Sequence, residues 1–262
     1  MTIQYIGDDM AHSAKVIALS GKGGVGKTSI SAAAVRLLCS RRPDARILAI
    51  DADPAVGLST ALGVEVTETL DDIRKRVASD VTGKLRDTQD ILAEARFRLF
   101  EAMREQRGFA FLAIGRPEAA GCYCAVNTYL RQVISMLVND FDYVVIDGEA
   151  GIEQINRRVM EKVTHLIFVS DQSKKGLGVV RTIKNVADEL VMYDRAGLIL
   201  NRVTHPERID FTEAEGVPLL AAIGPDEAHA ADDIEGLSIF ELPEASLLLR
   251  GVQTALEKLE LL

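Results

Sequence analysis

Cysteine and histidine are scarce in this sequence of 262 residues, which contains three cysteines and four histidines. An odd number of cysteines is a poor basis for a disulfide framework, and a reducing cytosol would keep the thiols free, so a disulfide-stabilised fold is excluded. The histidines His12, His165, His205 and His229 are scattered along the chain, which excludes a histidine-rich metal store.

Long apolar runs and an excess of basic residues are also absent. No apolar run approaches the roughly 18 residues that a membrane-spanning helix needs. The first ten residues, MTIQYIGDDM, carry acids where a secretory signal needs bases. The chain has 39 acidic against 30 basic residues and a net charge of −9, so its average field does not attract nucleic acid or anionic lipid. We expect a cytoplasmic protein whose partner is neither a membrane nor a nucleic acid.

Short apolar runs alternate with longer helical patterns along the chain. This alternation is typical of a parallel sheet covered on both faces, and it predicts a single doubly wound α/β domain, residues 1–262, with a mainly parallel sheet. Residues 64–108 form a longer charged connection with helical spacing, which we expect to be a helical insertion on the same domain. The predicted strands are VIALS (16–20), ILAID (47–51), FAFLAI (109–114), YVVID (143–147), HLIFVS (165–170), GLILN (197–201) and VPLLAAI (217–223).

The strongest motif is GKGGVGKT, residues 21–28, which fits G-x-x-x-x-G-K-[ST] between a predicted strand and a helical pattern. Its glycines allow backbone N–H groups to point at phosphate oxygens, and Lys27 is placed to meet the β and γ phosphates. The Thr28 hydroxyl is the expected Mg²⁺ ligand. A glycine-rich turn without a ligand is the alternative interpretation. The predicted phosphate-binding residues are Gly21, Gly23, Gly24, Val25, Gly26, Lys27, Thr28 and Ser29.

Acidic residues follow two of the predicted strands. Asp51 and Asp53 lie in DADP at the end of the second strand, and Asp147 ends YVVID. Ligands of an open α/β sheet bind at the carboxyl ends of its strands, and two carboxylates with alternating spacing can face one pocket there. One would help to hold Mg²⁺ or its waters, and the other would orient the attacking water. DADP could instead cap the next helix.

Lys22 is not required by the ordinary P-loop, and with it the motif resembles the deviant-Walker ATPases, the superfamily of MinD, ParA and the nitrogenase iron protein. The resemblance implies that Lys22 reaches the nucleotide of a partner chain, and hence a homodimer that holds two ATP molecules. Lys22, Lys27 and Asp53 are then the candidate catalytic residues.

The same resemblance assigns roles to four polar residues at strand ends. It makes Asp53 the residue that positions water, Asp51 the one on the metal side and Asp147 an acid in the second sphere of Mg²⁺. Asn201, which closes GLILN, resembles the amide that reads the adenine edge, although an ordinary strand-end asparagine is the alternative.

Two of the cysteines, Cys122 and Cys124, are separated by one residue in GCYCAVN. In an extended segment they share one face, and the helical pattern that follows would favour thiolates at its amino terminus. Two thiolates are half of a four-coordinate metal site, and a second chain could supply the other half on a twofold axis. Buried packing residues are the alternative, and packing is the role we expect for Cys39.

Residues 115–131, GRPEAAGCYCAVNTYLR, and 147–154, DGEAGIEQ, resemble the CooC-type ATPases. That resemblance implies insertion of nickel into carbon monoxide dehydrogenase or a related acetyl-CoA synthase, with Ni²⁺ or Zn²⁺ at Cys122 and Cys124. A MinD-like or ParA-like positioning ATPase, acting at a membrane or nucleoid, is the alternative. The final stretch, ASLLLRGVQTALEKLELL, has nearly balanced charge, so we expect a helix docked on the core. An electron-transfer ATPase with an iron–sulfur cluster is a third hypothesis.

Overall fold

One sheet organises the chain in a computed structural model that describes residues 14–53, 55–81, 96–106, 108–115, 134–148 and 163–262. Its described strands follow the order β3-β4-β2-β5-β1-β6-β7-β8. They are β1 (Lys15–Gly21), β2 (Ile47–Asp51), β3 (Arg104–Gln106), β4 (Phe109–Ala113), β5 (Tyr143–Asp147), β6 (His165–Ser170), β7 (Arg195–Leu200) and β8 (Leu219–Ala222).

The sheet is parallel except at one edge, where β3 pairs antiparallel with β4. The seven apolar runs of the sequence correspond to β1, β2 and β4–β8, which confirms the doubly wound α/β prediction. The sequence pattern did not predict β3. Its three residues, Arg-Glu-Gln, contain no apolar side chain, and their role as a strand depends only on pairing with β4.

Helices cover both faces of the sheet. The longer helices and helical segments are α1 (Lys27–Arg41), Gly57–Leu62, Leu70–Val81, 96–102, 134–138, Lys174–Leu190, Glu227–Glu235 and Leu247–Lys258. Short 3₁₀ turns occur at Pro206–Arg208, Phe211–Ala214 and Ile239–Glu241.

Alternate residues of β1, β2 and β4–β7 enter two different apolar clusters. In β1, Ile17 and Leu19 pack with α1 and the helix Leu247–Lys258, while Val16 and Ala18 pack with the helix Lys174–Leu190 on the other face. A strand buried on both faces must be apolar throughout, which explains the continuous apolar runs in the sequence.

The connection between residues 64 and 108 contains the helix Leu70–Val81 and the helical residues 96–102, as its spacing predicts. It also contains β3, so it contributes an edge strand to the sheet as well as helices. Its description as an insertion on one domain stays a prediction.

The helix Leu247–Lys258 buries one face against α1 and the sheet. Its side chains Leu248, Leu249, Val252 and Leu256 are at most 2% exposed. The apolar spacing of this segment therefore serves core packing, as the sequence predicts. Within the described ranges, no helix is both long and apolar enough to cross a membrane.

The carboxyl ends of β1, β2 and β5 meet at one edge of the sheet. Asp51 of β2 lies opposite Asp147 of β5 in the register, and Asp147 lies opposite Leu19 of β1. Two residues after Leu19, β1 ends at Gly21, where the glycine-rich loop begins. The predicted acids and the loop are thus brought to one place.

Candidate nucleotide site

The loop between β1 and α1 has a backbone that only glycine permits at two points. A Cβ at Gly21 would lie 2.0 Å from the carbonyl oxygen of Val169 on β6. Gly26, directly before α1, has φ of 93°, and a Cβ there would lie 2.5 Å from Nδ2 of Asn201. The loop therefore packs closely between β6 and the end of β7. Glycine is required at these two positions by close contacts as well as by turn geometry.

Lys27 folds back over this loop. Its Nζ atom donates to the carbonyl oxygens of Gly21 at 3.3 Å and Lys22 at 3.2 Å, and the residue is only 8% exposed. The ammonium is thus held against the backbone of the loop, where it would bind phosphate oxygens. A phosphate would replace two neutral acceptors by charged ones, which form stronger bonds with an ammonium.

Asp147 stands behind the first turn of α1. Its Oδ1 accepts from the Ser31 hydroxyl at 3.0 Å, and the Thr28 hydroxyl acts on this carboxyl as well. Burial raises the pKa of Asp147 to about 6, although these hydroxyls and the charge of Lys27 act to lower it. Oδ2 is buried and has no hydrogen-bond partner among the described residues.

This arrangement fits Mg²⁺ in the place that the sequence predicts. An unpartnered carboxylate oxygen beside the Thr28 hydroxyl is an oxygen environment of the kind that Mg²⁺ and its waters prefer. Thr28 would hold the ion directly, and Asp147 would bind one of its waters. Thr28 and Asp147 are therefore the candidates for the Mg²⁺ side of the predicted phosphate site.

Asp51 shapes the loop that follows β2. Its Oδ1 accepts from the Asp53 backbone N–H at 3.1 Å, and its Oδ2 accepts from the Leu58 N–H at 2.9 Å. Burial raises the pKa of Asp51 to about 7, and the adjacent Asp147 raises it as well. Both oxygens of Asp51 therefore bond the backbone of its own loop, and its metal-side role stays a prediction.

Asp53 sits in that loop, half-buried, and its Oδ1 accepts from the Ala55 N–H at 2.8 Å. Val56 nearby has φ of 53°, which is a strained conformation for a β-branched residue. The two backbone N–H groups that donate to Asp51, those of Asp53 and Leu58, lie before and after this strained residue. Asp51 thus fixes the loop from which Asp53 would reach a water molecule.

Lys22 forms an ion pair within its own chain. Its Nζ lies 3.0 Å from Oδ2 of Asp171, directly after β6, and the two side chains are 36% and 34% exposed. The Asp171 carboxylate also accepts from the Ser173 N–H, at the start of the helix Lys174–Leu190. The lysine that would reach a partner's nucleotide is bound to a carboxylate of its own chain.

Asn201 follows β7 and is 7% exposed. Its Nδ2 donates to the carbonyl oxygen of Val25 at 2.9 Å, and its Oδ1 accepts from the Arg202 N–H at 3.0 Å. The structure therefore places it against the glycine-rich loop. Its reading of adenine stays a prediction.

The structure brings most of the predicted nucleotide-site residues together at one edge of the sheet. Gly23, Gly24, Val25 and Ser29 lie in or beside the loop, with Ser29 in the first turn of α1. Cys122 and Cys124, the predicted metal ligands, lie outside the described residues. In the remaining described part of the chain, no group of three or more histidine, cysteine or acidic side chains is arranged to hold a metal ion.

Cys39 lies on α1, and its thiol contacts the carbonyl oxygen of Gly108 at 3.4 Å. Burial raises the pKa of this thiol to about 11, so it stays protonated at neutral pH. This is consistent with the packing role expected from the sequence.

Sequence reasoning missed three residues of the site: Ser31, Asp171 and Arg202. Asp171 had a usable signal, because it lies at the carboxyl end of β6, much as Asp51 and Asp147 lie at the carboxyl ends of β2 and β5. Ser31 lies one helical turn after Lys27, on the side of α1 that faces Asp147. Arg202 has φ of 57°, and its guanidinium donates to the Gly24 carbonyl at 3.3 Å, neither of which a sequence pattern reveals.

Comparison with known proteins gives a consistent assignment. Residues 16–239 match the CobQ/CobB/MinD/ParA nucleotide binding domain. An uncharacterized ATP-binding protein of Methanocaldococcus jannaschii is 37% identical, over 93% of this chain and 98% of the relative. The carbon monoxide dehydrogenase accessory protein CooC of Rhodospirillum rubrum is 30% identical, over 87% of this chain and 90% of the relative.

The fold also matches solved structures. The septum site-determining protein MinD of Pyrococcus horikoshii, complexed with Mg-ADP, superposes with a TM-score of 0.67 at 24% identity, covering 94% of this chain and 96% of that one. At this identity the likeness concerns the fold. With the match over residues 16–239 and the geometry of the loop, it follows that the chain belongs to the CobQ/CobB/MinD/ParA family of nucleotide-binding domains.

Proposed function

We propose that this protein is an ATPase that works as a homodimer in the cytoplasm and serves the insertion of nickel into carbon monoxide dehydrogenase or a related acetyl-CoA synthase. The observation that carries the ATPase part is the phosphate site itself. Lys27 is buried in the glycine-rich loop, and the buried Oδ2 of Asp147 has no hydrogen-bond partner among the described residues, which supports a Mg²⁺ role for this carboxylate.

Each residue has a distinct task in hydrolysis. Lys27 exchanges its two carbonyl acceptors for phosphate oxygens, and the N–H groups of the loop bind the remaining phosphate charge. When bound, Mg²⁺ neutralises charge on the phosphates. Asp53 orients the attacking water from a loop whose shape is fixed by the bonds of Asp51.

In this proposal, Lys22 links ATP binding to dimer formation. The two side chains of its ion pair with Asp171 are 36% and 34% exposed, and solvent-accessible pairs of this kind contribute at most about 1 kcal/mol. The γ phosphate of a partner's ATP carries more charge than one carboxylate and is a stronger acceptor. ATP would therefore draw Lys22 from Asp171 to the partner chain, and phosphate release would return it.

The nickel part of the proposal is supported by similarity and by two cysteines. The relative from Rhodospirillum rubrum is named an accessory protein of carbon monoxide dehydrogenase. Cys122 and Cys124 stand in the sequence with the spacing of a two-thiolate ligand pair. Nickel is the cargo in this proposal, and Zn²⁺ competes for the same thiolates, because affinity alone does not select between the two metals.

A positioning ATPase is the second candidate, supported by the fold similarity to MinD. Membrane attachment by a basic amphipathic helix is the usual device for such a role. In this chain the helix Leu247–Lys258 instead buries its apolar face against the core. This helix is therefore not available as the membrane anchor of such a role.

The test measures ATP hydrolysis, metal content and partner binding on the same reduced sample. The proposal expects hydrolysis, one Ni²⁺ or Zn²⁺ per two chains, and no co-sedimentation with anionic vesicles or duplex DNA in the presence of ATP. Vesicle or DNA binding that requires ATP, without metal binding, would establish the positioning role. A visible absorption band after anaerobic reconstitution would instead indicate an iron–sulfur protein.

A further inference from the structure

The two halves of the glycine-rich loop are held in different ways. In the first half, the carbonyl oxygens of Gly21 and Lys22 accept from the ammonium of Lys27. In the proposed function this ammonium turns to the phosphates when nucleotide binds. The second half is held from outside by the two residues that follow β7. The Val25 carbonyl accepts from Asn201 and the Gly24 carbonyl accepts from Arg202.

These outside bonds determine which way the loop amides point. In a trans peptide, the carbonyl and the following N–H point in opposite directions. A Val25 carbonyl turned toward Asn201 therefore turns the Gly26 N–H away from Asn201. In the same way, the bond from Arg202 to the Gly24 carbonyl turns the Val25 N–H away from Arg202. Both amides then point away from Asn201 and Arg202, toward the side of the loop where we expect the phosphates.

Asn201 is itself fixed from several directions. Its backbone N–H donates to the Ser170 carbonyl of β6 at 2.8 Å, and its Oδ1 accepts from the Arg202 N–H. Arg202 has φ of 57°, which residues of this type seldom adopt, and the bond to Asn201 lies across that turn. The absence of a Cβ at Gly26 leaves the space that the Asn201 amide occupies.

We propose that Asn201, aided by Arg202, is a positioning residue for the glycine-rich loop. It orients the Val25 and Gly26 N–H groups for phosphate before any nucleotide binds. This rests on the nucleotide-binding part of the proposed function. This role differs from recognition of adenine. A residue that positions the phosphate loop affects the binding of every ligand that carries the phosphates, whereas a residue that bonds adenine affects only ligands that carry that base.

The experiment compares three probes, Mg·ATP, Mg·GTP and inorganic Mg·tripolyphosphate, by isothermal titration against wild type and Asn201→Ala. The proposal expects Asn201→Ala to weaken all three by one common factor of about five- to twentyfold, since a buried carbonyl loses its donor and the loop amides lose their orientation. Arg202→Gly, which tolerates the positive φ, should weaken all three by a smaller common factor.

Asn201→Asp is the second variant. It is isosteric and keeps the acceptor for the Arg202 N–H, but it lacks the donor to Val25, so it should lose affinity for tripolyphosphate as Asn201→Ala does. Thr204→Ala is the matched control on the same segment, because the Thr204 hydroxyl bonds Gln172. It should bind all three probes as the wild type does, and thermal unfolding checks that every variant is folded.

The outcomes separate this inference from the proposed function. If Asn201→Ala and Asn201→Asp weaken ATP alone and bind tripolyphosphate normally, Asn201 reads the base and the positioning inference is wrong, while the ATPase proposal survives. If Thr204→Ala weakens tripolyphosphate equally, the effect belongs to the segment and the inference is also wrong. A wild-type chain that binds none of the three probes overturns both.

Discussion

The ammonium of Lys22 lies 3.0 Å from the Asp171 carboxylate of its own chain, although 149 residues separate the two in sequence. The Lys22 side chain leaves the glycine-rich loop at the carboxyl end of β1, and Asp171 directly follows the neighbouring strand β6. The pair thus joins the nucleotide loop to the start of the helix Lys174–Leu190. In a dimer that requires Lys22 in the partner site, Asp171 is an internal competitor.

Asp171→Asn should promote ATP-driven dimerisation. Asparagine removes the charge that binds Lys22 but keeps an acceptor for the Ser173 N–H, so the start of the helix is preserved. Because an ion pair with this much solvent access contributes at most about 1 kcal/mol, we expect up to about a fivefold lower ATP concentration at the dimerisation midpoint. Sedimentation velocity with a non-hydrolysable ATP analogue measures the midpoint. An unchanged or higher midpoint would show that Asp171 does not compete for Lys22.

Lys27→Ala should abolish productive nucleotide binding. The change removes the buried ammonium of the loop, and charge-assisted bonds to phosphate are worth about 3 kcal/mol in total or more, so affinity for Mg·ATP should fall by roughly 100-fold. Lys22→Ala is the control within the same loop. It should keep ATP binding by the single chain and lose only the dimer. Near-normal hydrolysis by Lys27→Ala would overturn the assignment of the phosphate site.

Asp53→Asn should bind ATP and fail to hydrolyse it. The amide keeps an oxygen that can accept from the Ala55 N–H, so the loop retains its shape while the carboxylate that orients water is lost. We expect phosphate release to slow by about 100-fold or more at unchanged affinity. Measuring both ATP affinity and the rate of phosphate release distinguishes a loss of hydrolysis from a loss of binding. A loss of affinity as large as that of Lys27→Ala would assign Asp53 to binding instead.

The sequence predicted the parts of this structure that depend on local patterns. The apolar runs of β1 and β2 and the glycine-rich loop are continuous segments whose chemistry is visible in a few neighbouring residues. The edge strand β3 has no such pattern, because it depends on pairing with β4. The contacts of Lys22 and Asn201 join distant segments, and in both cases the partner depends on strand order, which the sequence pattern did not give.

The paired acids Asp51 and Asp147 should make the stability of the unliganded protein depend on pH. Burial raises the pKa of Asp51 to about 7 and that of Asp147 to about 6, against about 4 in an unfolded chain. The folded chain therefore binds these protons more tightly. Their contribution to stability is fully present below about pH 4 and is lost as the pH rises through about 6 to 7.

The free energy of unfolding, measured by urea titration in EDTA without nucleotide, should accordingly fall between about pH 5 and about pH 8. Lys27 and Asp53 are the other charged groups that act on this pair. Asp51→Asn should reduce the slope, because it removes one of the two titrating carboxyls. Its amide keeps only one of the two acceptors that bond the Asp53 and Leu58 N–H groups, so the variant should also be less stable than the wild type at about pH 5. The exposed Asp233→Asn is the control, with the wild-type slope expected. Equal slopes for Asp51→Asn and wild type would refute the pKa assignment.

The cysteine pair gives the last prediction. If each chain offers the thiolates of Cys122 and Cys124 and the metal takes four ligands, reduced protein should bind one Ni²⁺ or Zn²⁺ per two chains and shift from monomer to dimer as metal is added. Replacing either cysteine by serine removes two ligands from a symmetric site, so metal-driven dimerisation should collapse. Because thiolates must lose protons to coordinate, the affinity should also fall as the pH is lowered.

Cys39→Ser is the matched control for this experiment. The Cys39 thiol contacts the Gly108 carbonyl, and burial raises its pKa to about 11, so it supplies no thiolate at neutral pH. This variant should keep the metal stoichiometry, and all three serine variants should keep ATP binding, since the phosphate loop lies at residues 21–28. Sedimentation with metal analysis measures both quantities. One metal ion per chain, or dimerisation that persists without Cys122 and Cys124, would defeat the shared site and favour packing as their role.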